Sequence, residues 1–487
     1  MANVRKITRD DGTRFYQVRW RTPDGKHRTK GGFPTKRAAE DYVNDVDYAR
    51  RRSTTFDPKA GAVSFREAAQ DWLSSRHDLK RSTHAGYVAA LAPKSTEGST
   101  EVKDTRRDAD NAAGRAKRAA LSIDATFGGY PINKITRTQI SEWVSAMAAA
   151  GSKPSTVRHA FFIVRMVLAQ GVVDGRLATN PADYVRLPSE RSTGAAPAGV
   201  VDDPAQFLTA AQVGALVNAT PWPYNVTVNL AAWAGLRAAE LCGLQVGDVE
   251  LPTPMINPNA PAKPGVLRVE RTVLQIGGVL TYDSPKTRGS RRMVPLPHEL
   301  TAVLRDYLVV HPRRNEATAP LFPGFGLTAF KPTGVAASDA TGRRTAPTPE
   351  ETRGALTVQQ ACDQLTLDWS AMLRHGSFYR YVYRPAVLRA IRLGTELSAD
   401  ATTRGGADLP PALRFHALRH TYASLCVAAG LPALAIAKFM GHSKVTTTLT
   451  VYAHLFEDDH SDAMAALGAM DTPRQTADNV VPIRRSG

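Results

Sequence analysis

The chain has 487 residues, 43% of them apolar, enough for about three ordinary domains by length alone. Lys and Arg (62) outnumber Asp and Glu (45), and the net charge of +17 points to a polyanionic partner reached through counterion release. Cys242, Cys362 and Cys426 are odd in number and far apart, which indicates neither a disulfide framework nor a zinc site. The start of the chain carries no secretory apolar region, and the most apolar helical stretch, Phe161–Val173, contains Arg165 and reads as too short to span a bilayer; a soluble intracellular protein is expected.

Residues 1–60 hold 15 Lys and Arg against 8 Asp and Glu. Turn signals at Asp10-Asp11-Gly12 and Pro23-Asp24-Gly25 bracket Arg14–Arg21, where Tyr16, Val18 and Trp20 alternate with Gln17, Arg19 and Arg21. Period two predicts a strand with one apolar and one basic face. A further strand through Lys26–Lys30 and a helix from about Thr35 to Arg52 complete a small sheet packed on a helix. The basic face, with Arg19 and Arg21, suits a DNA groove.

Over residues 61–190, Ser64-Phe-Arg-Glu67 and Thr136-Arg-Thr-Gln139 read as capping boxes that start helices. Thr156–Gly171 carries apolar residues around most of a helix (Val157, Phe161, Phe162, Val164, Val167, Leu168), which places it at the centre of a helical bundle. The polar stretch Lys94–Arg118 reads as an insertion, and Pro188–Val200 as a linker.

Beyond it, Thr209-Ala-Ala-Gln212 is a third capping box. Gly265–Gln275, Gly278–Asp283 and Arg291–Leu296 have strand character, and a helix is expected near His298–Val310. Pro323–Arg353 reads as a loop insertion, with helices resuming through Cys362–Arg392 and from Phe415 to Gly468.

The chemistry-bearing residues fall in this last part. Arg237 and Glu240 are three apart, so the carboxylate can hold the guanidinium for bidentate contact with phosphate oxygens. Lys286 lies in a turn between two strands, where an ammonium can protonate a leaving oxygen; Arg288, Arg291 and Arg292 around it read as phosphate contacts or surface residues. His416 and Arg419, also three apart, put an imidazole and a guanidinium on one face at a helix start. His442 falls in Met-Gly-His-Ser, a break between helices expected to expose its ring. Tyr452 follows in Thr-Leu-Thr-Val-Tyr-Ala-His, a phenol that needs cations and a base to become a nucleophile. Each alone has an ordinary structural explanation. Together, in this order, they match a site for breaking and rejoining phosphodiesters without a metal.

These motifs, Gly-Leu-Arg237-x-x-Glu-Leu, Pro-Lys286-Thr, His416-x-Leu-Arg419-His-Thr, Met-Gly-His442-Ser and Val-Tyr452-Ala-His, resemble those of the tyrosine recombinases of the phage integrase family. The resemblance covers most of the chain, with two departures at the insertions and with Ala417 where relatives often carry Asp. It implies a multidomain, mainly α fold with small β-sheets. Residues 1–60 would be an arm-type DNA-binding domain (three-stranded sheet plus helix), 61–190 a helical core-binding domain, 191–204 a linker and 205–487 an α+β catalytic domain with a C-terminal tail. It implies further that Tyr452 attacks DNA to give a 3′-phosphotyrosyl link. Arg237, Arg419 and His442 would bind the phosphate, His416 accept the tyrosine proton and Lys286 protonate the 5′ oxygen, with no cofactor. The implied partners are duplex DNA at core and arm sites, further protomers to a tetramer, and accessory DNA-bending or directionality proteins, in the cytoplasm of a bacterial host at its nucleoid. The segment after Tyr452 (Leu455, Phe456, Met464, Leu467, Met470) would pack on its own domain or on a neighbour. A phage or mobile-element integrase fits the arm-like module; a chromosome-dimer or plasmid resolvase, a type IB topoisomerase and a non-catalytic DNA-binding protein are the alternatives.

Overall fold

Where apolar and polar residues alternate at the start of the chain, the backbone does extend. The computed structural model describes residues 3–8, 12, 14–21, 27–51, 60–93, 119–189, 203–252, 263–285, 288–328, 337–338, 344–345, 348–399 and 408–455. Strands β1 (Asn3–Thr8), β2 (Arg14–Arg21) and β3 (His27–Phe33) form an antiparallel sheet in that order, followed by helix α1 (Lys36–Arg51). Val18, Ala39 and Tyr42 are its buried core, while Arg19 and Arg21 lie exposed on β2. Arg19 pairs across the sheet with Asn3 and Thr29, and Arg21 with His27.

The expected bundle is present. Ser64 and Thr136 close their capping boxes, each accepting from the third helical N–H while Glu67 or Gln139 reaches back, and start α2 (Phe65–Ser75) and α5 (Arg137–Ala149). Between them lie α3 (Arg81–Leu91) and the short α4 (Ile123–Phe127). Helix α6 (Pro154–Val173) is 20 residues, longer than its apolar stretch suggested and long and apolar enough to cross a bilayer by those measures alone. It is instead the core helix of the bundle: Val157, Phe161, Ile163, Val164, Val167 and Leu168 are buried against Trp72, Phe127 and Trp143, and only Phe162 of the expected apolar set is exposed. The Lys94–Arg118 insertion and the linker from residue 190 lie outside the described residues.

Contacts divide the chain into two compact units, Met1–Ala198 and Gly199–Gly487. The second begins with α7 (Ala210–Asn218), capped by Thr209 and Gln212, then α8 (Tyr224–Ala234) and the single turn α9 (Ala238–Leu241). The long strand run divides in two. Strands β4 (Val249–Glu250), β5 (Val266–Val269) and β8 (Arg292–Pro295) make one sheet in the order β4-β5-β8, while β6 (Thr272–Ile276) and β7 (Val279–Asp283) make a separate hairpin. Helix α10 (His298–Val310) follows as expected.

Two readings of the sequence are corrected here. The start of the supposed loop Pro323–Arg353 is strand β9 (Pro323–Leu327), and its end is helix α11 (Pro349–Gly354); the described residues between them include the two-residue strands β10 (Ala337–Ser338) and β11 (Arg344–Thr345), paired with each other. The helices expected through Cys362–Arg392 are interrupted: after α12 (Val358–Asp363) comes strand β12 (Leu365–Met372), antiparallel to β9. Leu365, Leu367 and Trp369 pack against the core of the unit while Thr366, Asp368 and Ser370 face outward, which selects a strand over a helix. Helix α13 (His375–Phe378), a π-turn (Tyr379–Tyr383), and helices α14 (Arg384–Ala399), α15 (Ala417–Ala428), α16 (Ala433–Met440) and α17 (Val445–Tyr452) complete the unit; the tail beyond Leu455 lies outside the description.

Candidate active site

Helix α8 ends at Gly235, whose backbone is left-handed (φ 61°). The chain then reverses into Arg237, the N-cap of α9. Glu240 closes the turn from the other side: its carboxylate accepts from the Arg237 N–H at 2.8 Å and from Arg237 Nη1 at 2.9 Å. The guanidinium also donates to the Gly441 carbonyl at 3.3 Å, and its side chain remains 40% exposed, so it is open to a ligand. The predicted Arg237–Glu240 pair is therefore present, and it is half of a larger unit.

The other half is Arg292. Read from sequence as a phosphate contact or surface residue, it is buried, and its two terminal nitrogens each donate to one Glu240 oxygen at 3.0 Å. Its Nε donates to the Phe439 carbonyl and its Nη1 to the Ser290 carbonyl at 3.1 Å. Burial would raise the Glu240 carboxyl, but Arg292 and Arg237 outweigh it and hold it below the usual carboxylate range.

Arg419 comes from α15, one turn after His416. Only 3% exposed, it donates to the Gly235 carbonyl, two residues before Arg237, and to the carbonyl of Met440, the last residue of α16. Burial, and then the nearby charge of Arg237, push its pKa down to about 9. Three guanidinium groups thus gather near the carboxylate of Glu240, with only Arg237 and Arg292 bonded to it, and the lowered pKa of Arg419 marks a place suited to an anion.

The imidazoles are arranged around these charges. His442 follows Gly441, a left-handed C′ residue (φ 67°) that turns the chain out of α16. Its ring is half-buried rather than exposed, and its Nδ1 is 2.7 Å from the Thr448 hydroxyl. Burial and the three arginines push it down to about 4, which keeps it neutral at physiological pH. His416 is exposed at the start of α15. The imidazole that meets Tyr452, however, is that of His420: its Nδ1 and the tyrosine hydroxyl share a hydrogen bond of 2.8 Å. His420 was quoted within its motif but given no role; it stands four residues after His416, and that i, i+4 spacing on one helical face was the signal for it. Tyr452 is 2% exposed, packed with Tyr422, Cys426, Ile436 and Met440, and burial pushes its hydroxyl up to about 12 against the lowering effect of Arg419.

The structure therefore brings together Arg237, Glu240, His416, Arg419, His442 and Tyr452, with Arg292 and His420 added. Lys286 lies outside the described residues, as does the side chain of Arg288, whose backbone forms a short turn before β8. Arg19 and Arg21 belong to the other unit and are no part of this cluster.

A profile of the phage integrase family matches residues 394–458, the segment that holds His416, Arg419, His442 and Tyr452. The chain is similar to a protein named as the prophage phiRv2 integrase of Mycobacterium tuberculosis, 26% identical over 305 residues that cover 61% of this chain and 67% of the relative. It is similar also to the integrase of Mycobacterium phage D29, 23% identical over 308 residues, 61% of this chain and 75% of the relative. Among solved structures, the Tn1549 transposon integrase aligns over 84% of this chain and 100% of its own, with 18% identity and a TM-score of 0.45. The segment that carries four of the motif residues is thus similar to the phage integrase family, and about three fifths of the chain is similar in sequence to integrases of phages and prophages.

Proposed function

We propose that the protein is a site-specific integrase that cuts and rejoins DNA strands for a phage or mobile element, with Tyr452 as the nucleophile. The observation that carries this reading is a tyrosine hydroxyl within the field of the buried Arg419, whose guanidinium is held by backbone carbonyls, beside Arg237 and Arg292, which share the single carboxylate of Glu240. Its relatives are named as phage and prophage integrases, which supports the same activity.

In this reading a phosphodiester is seated by Arg237 and Arg419, with His416 and His442 turned to its oxygens. The two guanidinium groups stabilise the charge that develops on the non-bridging oxygens as Tyr452 attacks. Glu240 and Arg292 keep Arg237 in place. The attack gives a 3′-phosphotyrosyl bond and frees a 5′ oxygen, for which Lys286 is the proton donor. The link conserves the phosphodiester's free energy, so a 5′-hydroxyl from a second duplex can reverse it and complete the exchange. Four protomers acting on two duplexes would perform the full reaction, with residues 1–60 gripping arm sites through Arg19 and Arg21 and residues 61–190 the core site. Working on DNA, the protein acts inside its bacterial host, at the nucleoid.

Covalent trapping tests this. A nicked suicide duplex carrying the core site from the element's ends should give a protein–DNA adduct that is lost in Tyr452→Phe while DNA binding persists. Binding without any adduct would turn the reading toward a regulatory DNA-binding protein.

A further inference from the structure

We infer that His420 is the group that takes the proton from Tyr452 as it attacks and returns it when the strand is rejoined. This rests on the reading of Tyr452 as the nucleophile. The tyrosine is buried, so bulk water does not reach its hydroxyl, and the structure gives that hydroxyl an imidazole at 2.8 Å instead. The rings meet edge to face, at 62° with centroids 5.8 Å apart, which leaves the ring nitrogen free to face the phenol oxygen. His420 is adjacent in sequence to Arg419, whose guanidinium is fixed by two backbone carbonyls, so base and phosphate-binding group are set by the same turn of α15.

The other groups facing His420 are His416, Arg419 and the Phe207 ring. His416 lies one turn earlier, its ring 4.9 Å from that of His420 and at 88° to it, and it is exposed. The order Tyr452, His420, His416 thus runs from a buried hydroxyl to the surface. His416 is placed to pass the charge outward; His420 is placed to receive it.

The step balances within these groups. As Tyr452 Oη bonds to phosphorus its O–H bond breaks, and the proton moves to Nδ1 of a neutral His420 that carries its other proton on Nε2. The bond from phosphorus to the 5′ oxygen breaks with its electron pair on that oxygen, which takes a proton from a separate donor. On rejoining, a 5′-hydroxyl bonds to phosphorus and gives its proton back to that separate donor, while the phenolate leaves phosphorus and recovers the proton from His420. Burial and the cations around it keep the free ring neutral, which an acceptor requires. A seated phosphodiester cancels part of that cationic field, so the ring grows more basic when substrate is present.

The test uses the full-length protein on the nicked core-site duplex and on a matched duplex with sulfur as the 5′ bridging atom. His420→Asn keeps a polar group near Nδ1 but cannot accept the proton. Cleavage should fall by about 10²–10⁴-fold with DNA binding unchanged. The loss should shrink as pH rises and when Tyr452 is replaced by a fluorinated tyrosine of lower phenol pKa, and sulfur should not rescue it. A loss under about threefold, or rescue by the sulfur leaving group, overturns the assignment, since proton transfer in general catalysis is worth more and acts at the other oxygen. Should His420→Asn not fold, the fluorotyrosine series with His420 intact decides: a weak dependence of rate on phenol pKa supports a base, a steep one removes it. Absence of any adduct from the unaltered protein would instead take away the nucleophile on which the inference stands.

Discussion

Glu240 and Arg292, 52 residues apart, form a buried ion pair with two parallel hydrogen bonds of 3.0 Å, and Arg237 donates to the same carboxylate. The turn that carries the partly exposed Arg237 is thereby tied to strand β8. Through the Phe439 carbonyl the same guanidinium reaches the end of α16, just before the Gly441–His442 turn. One side chain registers three segments of the site.

Arg292→Met should therefore cost about 3–5 kcal/mol, because Glu240 is left charged and buried without its main partner. The double variant Glu240→Gln/Arg292→Met should cost less than Arg292→Met alone. Urea midpoints of the three proteins measure this; a double variant worse than the single would refute the pairing.

The pH dependence of the pair has a definite sign. The Glu240 carboxyl titrates lower in the fold than in the unfolded chain, so its contribution is full above the ordinary carboxylate range and is lost as pH falls through its folded value. The destabilisation by Glu240→Gln should be complete at about pH 7 and shrink on acidification toward about pH 3. A difference that stays constant or grows over that range would show the carboxyl is not held down.

His442 should remain neutral in the free protein throughout the range in which an ordinary histidine titrates, since its pKa is about 4. Its ring resonances, followed by NMR between about pH 5.5 and 8, should not move. A titration centred near the unperturbed value of about 6.5 would contradict the burial and the arginine field described for it.

Gly235 should tolerate no side chain. Its φ of 61° disfavours any other residue, and an added Cβ would overlap the Tyr422 ring. Gly235→Ala is expected to destabilise the protein by more than about 1–3 kcal/mol, the cost of the backbone strain alone. Because the Gly235 carbonyl also accepts from Arg419, the fraction that folds should cleave DNA more slowly as well. Equilibrium unfolding and adduct formation, measured on one preparation, check both.

On the other unit, alanine at Arg19 and Arg21 should weaken DNA binding by the small sheet with little effect on its folding, since both residues are exposed. Each phosphate contact removed lowers the slope of log affinity against log salt by about 0.9, so the double variant should lose about 2. An unchanged slope would move the DNA contact to another face.

What the sequence made legible was local. The three capping boxes were visible because each needs only two residues at a fixed spacing, and the helices begin where those boxes place them. Strand β2 was visible because apolar and polar residues alternate without a break from Tyr16 to Arg21. What stayed hidden depended on a distant partner. Nothing near Arg292 announces that its acid lies 52 residues back, and a basic turn is by default solvated. Strand β12 alternates clearly, yet helices flank it and its partner β9 reads Pro-Gly-Phe-Gly-Leu, glycine-rich enough to suggest a loop. His420 stays hidden because its partner hydroxyl lies 32 residues on, while the adjacent His416–Arg419 spacing is local.

The sheet at the start of the chain has a consequence of its own. Among the described residues its buried side chains are Val18, Ala39 and Tyr42, with Val4, Tyr16, Trp20, Phe33 and Val43 partly covered around them. A unit of three strands and one helix is of a size that leaves little margin between order and disorder. Whatever binds the folded face then contributes its binding free energy to the folding of the module. Occupancy of that face becomes a thermal property as well as a chemical one: warming should release the ligand by melting its receptor, at a temperature that climbs with ligand concentration while the second unit stays folded.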